Sequence, residues 1–134
     1  MMLRKLVSVF ILAFILNWIW EFFHSRLYLH YQNGPITSFI LFRAALVDAL
    51  IILILVVVAQ KFKINKSLFV VLAGLVVAIV VEIWALKTGR WAYNSLMPII
   101  PIIKIGLSPT LQLAMTAFIA QQVVYAIIDR DQQS

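Results

Sequence analysis

Four polar side chains interrupt otherwise apolar stretches of this chain: Glu21, Asp48, Glu82 and Gln112. His24 follows Glu21 at a spacing that puts both on one face of a helix. Carboxyl groups beside an imidazole can take and give protons, so Asp48, Glu21 and His24 are the candidates for acid–base work. They can equally relay protons or bind a cation in a transporter. A second group follows from residue type: Arg43 and Arg90 suit an anionic group. Trp91 and Tyr93 offer aromatic faces, and Glu82 and Gln112 offer polar contacts, so these six are the candidate ligand-binding residues. Glu21-x-x-His24 is also the spacing of carboxylate metal sites in helix bundles, which need a second such pair. The chain holds only one, so neither a metal nor a cofactor is expected. There is no Ser-His-Asp order, phosphate-binding loop or dinucleotide fingerprint.

The solvent that these groups meet follows from composition. Of 134 residues, 64% are hydrophobic and 12% charged. A soluble domain of this length would have to expose large apolar patches, so lipid is the expected surroundings. The net charge of +6 sits in short loops between apolar runs, which suits lipid headgroups and topology signals rather than nucleic acid. Absence of cysteine excludes disulfides, thiolate metal sites and cysteine nucleophiles.

The elements that must position the polar groups are four apolar segments, at about residues 3–28, 38–59, 67–86 and 107–128. Each is roughly 20 residues or slightly longer, enough to cross about 30 Å of hydrocarbon at 1.5 Å per residue. They show no alternation, so spanning helices fit better than barrel strands. The fold class expected is therefore all-α, a polytopic four-helix membrane protein forming a single domain over residues 1–134. The basic, apolar opening resembles a signal peptide, but no small-residue cleavage site follows, and it reads as a retained first span. Between the third and fourth spans, Pro98 and Pro101 break an apolar run too short to cross, which predicts an interfacial or re-entrant loop. Ser108 and Pro109 then read as N-cap and first residue of the last helix.

Parity brings the chemistry together. With four spans, the first and third helices end on the side where the second and fourth begin. Glu21, Asp48, Glu82 and Gln112 all fall in that half. Asn17, Glu21, His24 and Tyr28 follow helical spacing, and Gly74, Ala78 and Glu82 form a small-residue face that admits a close neighbour. Glu21 and Glu82 have a structural alternative, pairing with Arg26, Arg43, Lys87 or Arg90. Trp18, Trp20, Trp84, Trp91, Tyr28, Tyr31 and Tyr93 read as interface-belt residues, and Gln112 and Gln121 as interhelical hydrogen-bonding groups. Arg4, Lys5, Lys61, Lys63, Lys66 and Arg130 lie on the side of the termini, against Arg26, Lys87, Arg90 and Lys104, with Arg43 near the boundary. That bias predicts cytoplasmic termini in a bacterial inner membrane.

Three elements carry a resemblance: Asn17-x-x-Trp20-Glu21-x-x-His24-Ser25-x-Leu27-Tyr28, Leu41-x-Arg43-Ala44-x-Leu46-x-Asp48-Ala49, and the run from Gly89 through Arg90, Trp91, Ala92, Tyr93, Asn94, Ser95, Leu96 and Met97 to Pro98. Together they resemble a family of small bacterial four-helix integral membrane proteins. The likeness spans nearly the whole chain and implies the four-span fold with no assigned activity. Gly89-x-Trp91-x-Tyr93 is also similar to an element of carotenoid-cyclase-like membrane proteins, where a proline and an acidic pair follow. Here Ser108-Pro109-Thr110-Leu111-Gln112 stands without those acids.

Three functions fit these residues. The first is a pocket in the non-cytoplasmic half that binds or modifies a lipid-like or isoprenoid-like molecule. The second is an oligomeric transporter or ion-conducting protein; four short helices leave little room for a pathway in one copy, so this reading demands a homo-oligomer. The third is a non-catalytic accessory protein whose acids only tie helices together.

Overall fold

A computed structural model describes residues 2–134 of the chain. Four long helices account for most of it: α1 (Met2–His24), α2 (Ser38–Lys61), α3 (Lys66–Lys87) and α4 (Leu107–Gln133). All four are long and apolar enough to cross a membrane, and the chain is an all-α integral membrane protein. Helix starts follow local chemistry. The Thr37 side chain accepts from Ile40 N ahead of α2, and Asn65 accepts from Leu68 N ahead of α3. Each supplies an acceptor for an otherwise orphaned helical N–H.

The helices form a four-sided bundle in which each packs on its sequence neighbours and α1 closes against α4. The α2–α3 edge is the loosest of the four. Away from the site, the interior is built of small and branched side chains, among them Val9, Ala13, Ile52, Val56, Val70, Ala117 and Val124. Gly74 lets α3 approach α4 closely: a Cβ there would lie 3.1 Å from Ala114 N and 3.2 Å from Ala114 Cα. The expected small-residue face is thus the α3–α4 contact. At the end holding the termini, Lys5 pairs with Asp129 at 2.7 Å and Arg4 with Asp131 at 3.3 Å. The Gln60 amide donates to the Tyr125 hydroxyl nearby.

Three local expectations are corrected. The first span does not continue as a helix to residue 28: α1 stops at His24, one 3₁₀ turn follows (Ser25–Leu27), and Tyr28 opens strand β1 (Tyr28–Tyr31). The cause is competition for backbone groups. The carbonyls of Arg26 and Leu27 accept from Asn94 Nδ2 and N at 2.6 and 2.9 Å, which takes them out of helical pairing. Strand β1 pairs antiparallel with β2 (Trp91–Tyr93), aligning Tyr28 with Tyr93 and Tyr31 with Trp91 across an irregular register. No apolar alternation announced these short strands. A left-handed turn at Gln32 and Asn33 reverses the chain after β1.

The second correction concerns α4, whose N-cap is Gly106, with Ser108 and Pro109 already inside the first turn. Competing partners explain it: Ser108 Oγ is taken by Trp20 and His24, and the first helical bond runs from Thr110 N to Gly106 O at 3.3 Å, where a Cβ on residue 106 would sit 2.8 Å from Met97 Sδ. The loop before it folds back on itself, with Ile100 N donating to Ile105 O at 2.9 Å and Leu107 N to Pro98 O at 2.8 Å. Met97 and Ile105 are buried at its base while Ile102 is 93% exposed at its tip. The third correction is Gln121, which is buried in α4 with an Oε1 that has no hydrogen-bond partner among the described residues.

Candidate functional site

The second turn of α4 places Gln112 at the centre of the bundle's polar half. Its Nε2 lies 3.0 Å from Asn17 Oδ1, 2.9 Å from Glu21 Oε1 and 3.0 Å from Asp48 Oδ2. One side chain from α4 therefore joins two from α1 and one from α2. An amide nitrogen carries two hydrogens, so the three acceptors outnumber them by one. A proton held between the Glu21 and Asp48 carboxyls, or a donor from a bound molecule, completes the set. Thr116 closes the network inward: it accepts from Asn17 Nδ2 at 3.1 Å and donates to the Gln112 carbonyl at 2.7 Å. Below Thr116 the bundle core is apolar except for the buried Gln121.

His24 extends the network toward the helix ends. Its Nε2 is 2.8 Å from Glu21 Oε2 and its Nδ1 is 3.1 Å from Ser108 Oγ, which accepts from Trp20 Nε1 at 3.0 Å. With the Trp20 N–H directed at Ser108 Oγ, the serine hydrogen is left to donate to His24 Nδ1, and Nε2–H points at Glu21. The arrangement can pass a proton between imidazole and carboxylate, and it orients Glu21 toward Asp48.

Glu82, on the last turns of α3, has a different setting. Oε2 accepts from Tyr93 OH at 2.5 Å and Trp91 Nε1 at 3.1 Å, and Oε1 faces Tyr28 OH at 3.5 Å. Tyr93 OH in turn accepts from Gly106 N at 3.0 Å. One carboxylate thus fastens both strands and the start of α4 to the end of α3. The strands lie outside the spans, and both phenols are shifted upward. For Tyr28, burial is the largest cause, followed by the negative charge of Glu82. For Tyr93, burial again leads, then its hydrogen bond to Glu82, partly offset by the Gly106 N–H.

Between α2 and α3, where the bundle is loosest, lies a cavity of about 330 Å³. Its lining includes Glu21, His24, Asp48, Glu82 and Gln112, apolar side chains such as Ile51 and Ala78, and the cap residues Tyr31, Arg90 and Trp91. Val47 and Val81 belong both to the lining and to the exposed surface, so they form its lip. Arg43 also lines it and donates to Tyr31 OH at 2.8 Å. Arg90 lies 4.8 Å over the Trp84 ring.

Of the sequence-level candidates, Glu21, His24, Asp48 and Gln112 are joined by hydrogen bonds, and Arg43, Glu82, Arg90 and Trp91 line the same cavity. Tyr93 is not among the lining residues; it holds Glu82 from behind. The expected pairing of Glu21 or Glu82 with Arg26, Arg43, Lys87 or Arg90 does not occur among the described residues, because neutral donors and His24 satisfy both acids. The aromatic belt divides: Trp18 and Trp84 are exposed on the outside, while Trp20, Trp91, Tyr28 and Tyr93 turn their polar atoms inward. Trp20 and Ser108 were missed as site residues, and nothing local to either position distinguishes them. Asn17 and Tyr28 were signalled only by their spacing from Glu21. No family model, no curated protein and no solved structure matches this chain, so its function is read from the site itself.

Proposed function

We propose that this protein holds a lipid-like or isoprenoid-like amphiphile between α2 and α3, in the non-cytoplasmic half of a bacterial inner membrane with both termini cytoplasmic. The observation that carries the reading is the cavity itself. About 330 Å³ lies behind an apolar lip, with carboxyl groups from three helices on its lining. That volume falls at the lower end of the range for small-molecule sites, which is roughly 300–1,000 Å³. A molecule entering past Val47 and Val81 comes from the acyl-chain region, and its polar end meets the polar side chains of the lining. If bond-making follows, Asp48 or Glu21 is the proton donor or acceptor, with His24 reprotonating Glu21.

Passage through a single copy has less support. Val9, Ala13, Ile52, Val56, Val70 and Ala117 are fully buried below Thr116, and the buried Gln121 gives an ion only one isolated polar group among them. The cavity reading is tested by extracting purified protein and identifying retained molecules by mass spectrometry. Wild type is expected to carry one apolar or amphiphilic molecule per chain. Ala44→Phe, which fills the cavity from α2, is expected to lose it. Identical extracts from the two would refute the reading.

A further inference from the structure

The charges around the cavity do not balance locally. Glu82 is held by Tyr28, Trp91 and Tyr93, and Glu21 by His24 and Gln112. Asp48 takes its donor from Gln112. Arg43 and Arg90 line the same cavity, and neither has a carboxylate within ion-pair distance among the described residues. They approach from different elements, Arg43 from α2 and Arg90 from the segment leading into β2. Arg90 directly precedes Trp91, whose ring stacks on Tyr31 with centroids 6.3 Å apart and 22° from parallel, and the Arg90 guanidinium lies 4.8 Å over the Trp84 ring. Arg43 lies 5.7 Å over the Tyr31 ring, and Gln32 N ties the Arg90 carbonyl to the end of β1 at 2.6 Å.

The other polar groups at this mouth are donors as well. His30 Nδ1 accepts from Asn33 N at 3.1 Å, which leaves Nε2–H as its free donor. Tyr31 OH accepts from Arg43, so its own hydrogen is left to donate. Two guanidinium groups, an imidazole N–H and a phenol therefore gather at one cavity mouth, and among the described residues the Tyr31 hydroxyl that Arg43 reaches is the one acceptor they meet. A guanidinium does not give up its proton, and two of them beside an apolar lip call for an anion with several oxygens.

We propose that the site selects an amphiphile bearing a phosphate group, with the phosphate held between Arg43 and Arg90 and the chain leaving past Val47 and Val81. This rests on the cavity reading and adds the head-group chemistry. Native mass spectrometry of the full chain in detergent, titrated with phosphatidic acid, with phosphatidylcholine of the same chains and with inorganic phosphate, tests it.

Phosphatidic acid is expected to bind at one equivalent and about tenfold more tightly than phosphatidylcholine, as added charge-assisted hydrogen bonds imply. Arg43→Gln with Arg90→Gln is expected to remove that preference. Arg43→Lys with Arg90→Lys should restore part of it, which separates lost charge from lost folding. Lys61→Gln with Lys63→Gln, at the far end of α2, should leave it unchanged. Equal binding of the two lipids by wild type, or a preference surviving the double glutamine variant, would overturn the head-group assignment. Equal binding that Ala44→Phe still blocks would leave the cavity reading standing, whereas no binding of either lipid would remove both. If inorganic phosphate displaces phosphatidic acid, a free phosphate is the source of the recognised group; if it does not, the lipid is.

Discussion

At Gln112 one amide nitrogen serves acceptors from Asn17, Glu21 and Asp48, so this residue matters more for the helix interior than either acid does alone. Gln112→Leu keeps the volume and removes the donor. Leaving buried acceptors unpaired costs about 1–3 kcal/mol each, so a loss of roughly 3 kcal/mol is expected in reversible unfolding in mixed micelles. Asp48→Asn should change stability by less than about 1 kcal/mol in the same assay, because the new amide supplies the hydrogen that the cluster lacks. Tyr28 and Tyr93 carry a pH prediction. Both phenols are raised above the ordinary value of 10.0. Above that pH the unfolded chain releases their protons while the folded chain retains them, so the folded state binds more protons and stability falls as pH rises. Below it, they make stability independent of pH. The phenolate absorbance step that Tyr28→Phe and Tyr93→Phe remove should occur above pH 10.0, and a step at or below that value would contradict the geometry around Glu82.

Among the elements, the α3–α4 contact is the least forgiving. A side chain at residue 74 meets the backbone of Ala114 and Leu113, which cannot rotate away. Gly74→Val should therefore force the helices apart, at a cost of roughly 1–3 kcal/mol. Gly34→Ala is the matched control, since its nearest contact is an ordinary 3.6 Å to the Tyr31 carbonyl. Reversible unfolding of the two variants checks the contrast, and equal destabilisation would mean that α3 and α4 are not this close. The β1–β2 cap is an element of another kind. It is short, and its side-chain attachments to the bundle run through Glu82, the Tyr93–Gly106 bond and the Arg43–Tyr31 bond.

For the whole molecule, the polar and apolar halves of the bundle assign different roles to the two ends. The end with the termini is closed by a largely apolar core, two exposed ion pairs and the Gln60–Tyr125 bond. The other end is open between α2 and α3 and holds Glu21, His24, Asp48 and Glu82 on one cavity lining. On the proposed orientation, a membrane-impermeant maleimide should label Ser95→Cys in intact spheroplasts and Lys61→Cys only after permeabilisation. The cysteine-free background makes each label unambiguous. The reverse pattern would put the cavity in the cytoplasmic half.

Four spans, and a common depth for Glu21, Asp48, Glu82 and Gln112, were already determined by the order of residues. Hydropathy and a rise of 1.5 Å per residue are local properties, and parity turns them into a depth for each side chain. Folding in three dimensions settled the rest: Ser108 as the partner of Trp20 and His24 rather than a cap, Tyr28 in a strand rather than on a helix, and Gln112 as the shared donor. Those bonds of Ser108 and Gln112 join residues 64 to 95 positions apart. Their geometry depends on how each helix is rotated about its axis and on where Asn94 draws the backbone out of α1. Neither is encoded in any single stretch of the chain, because both are set by packing between elements.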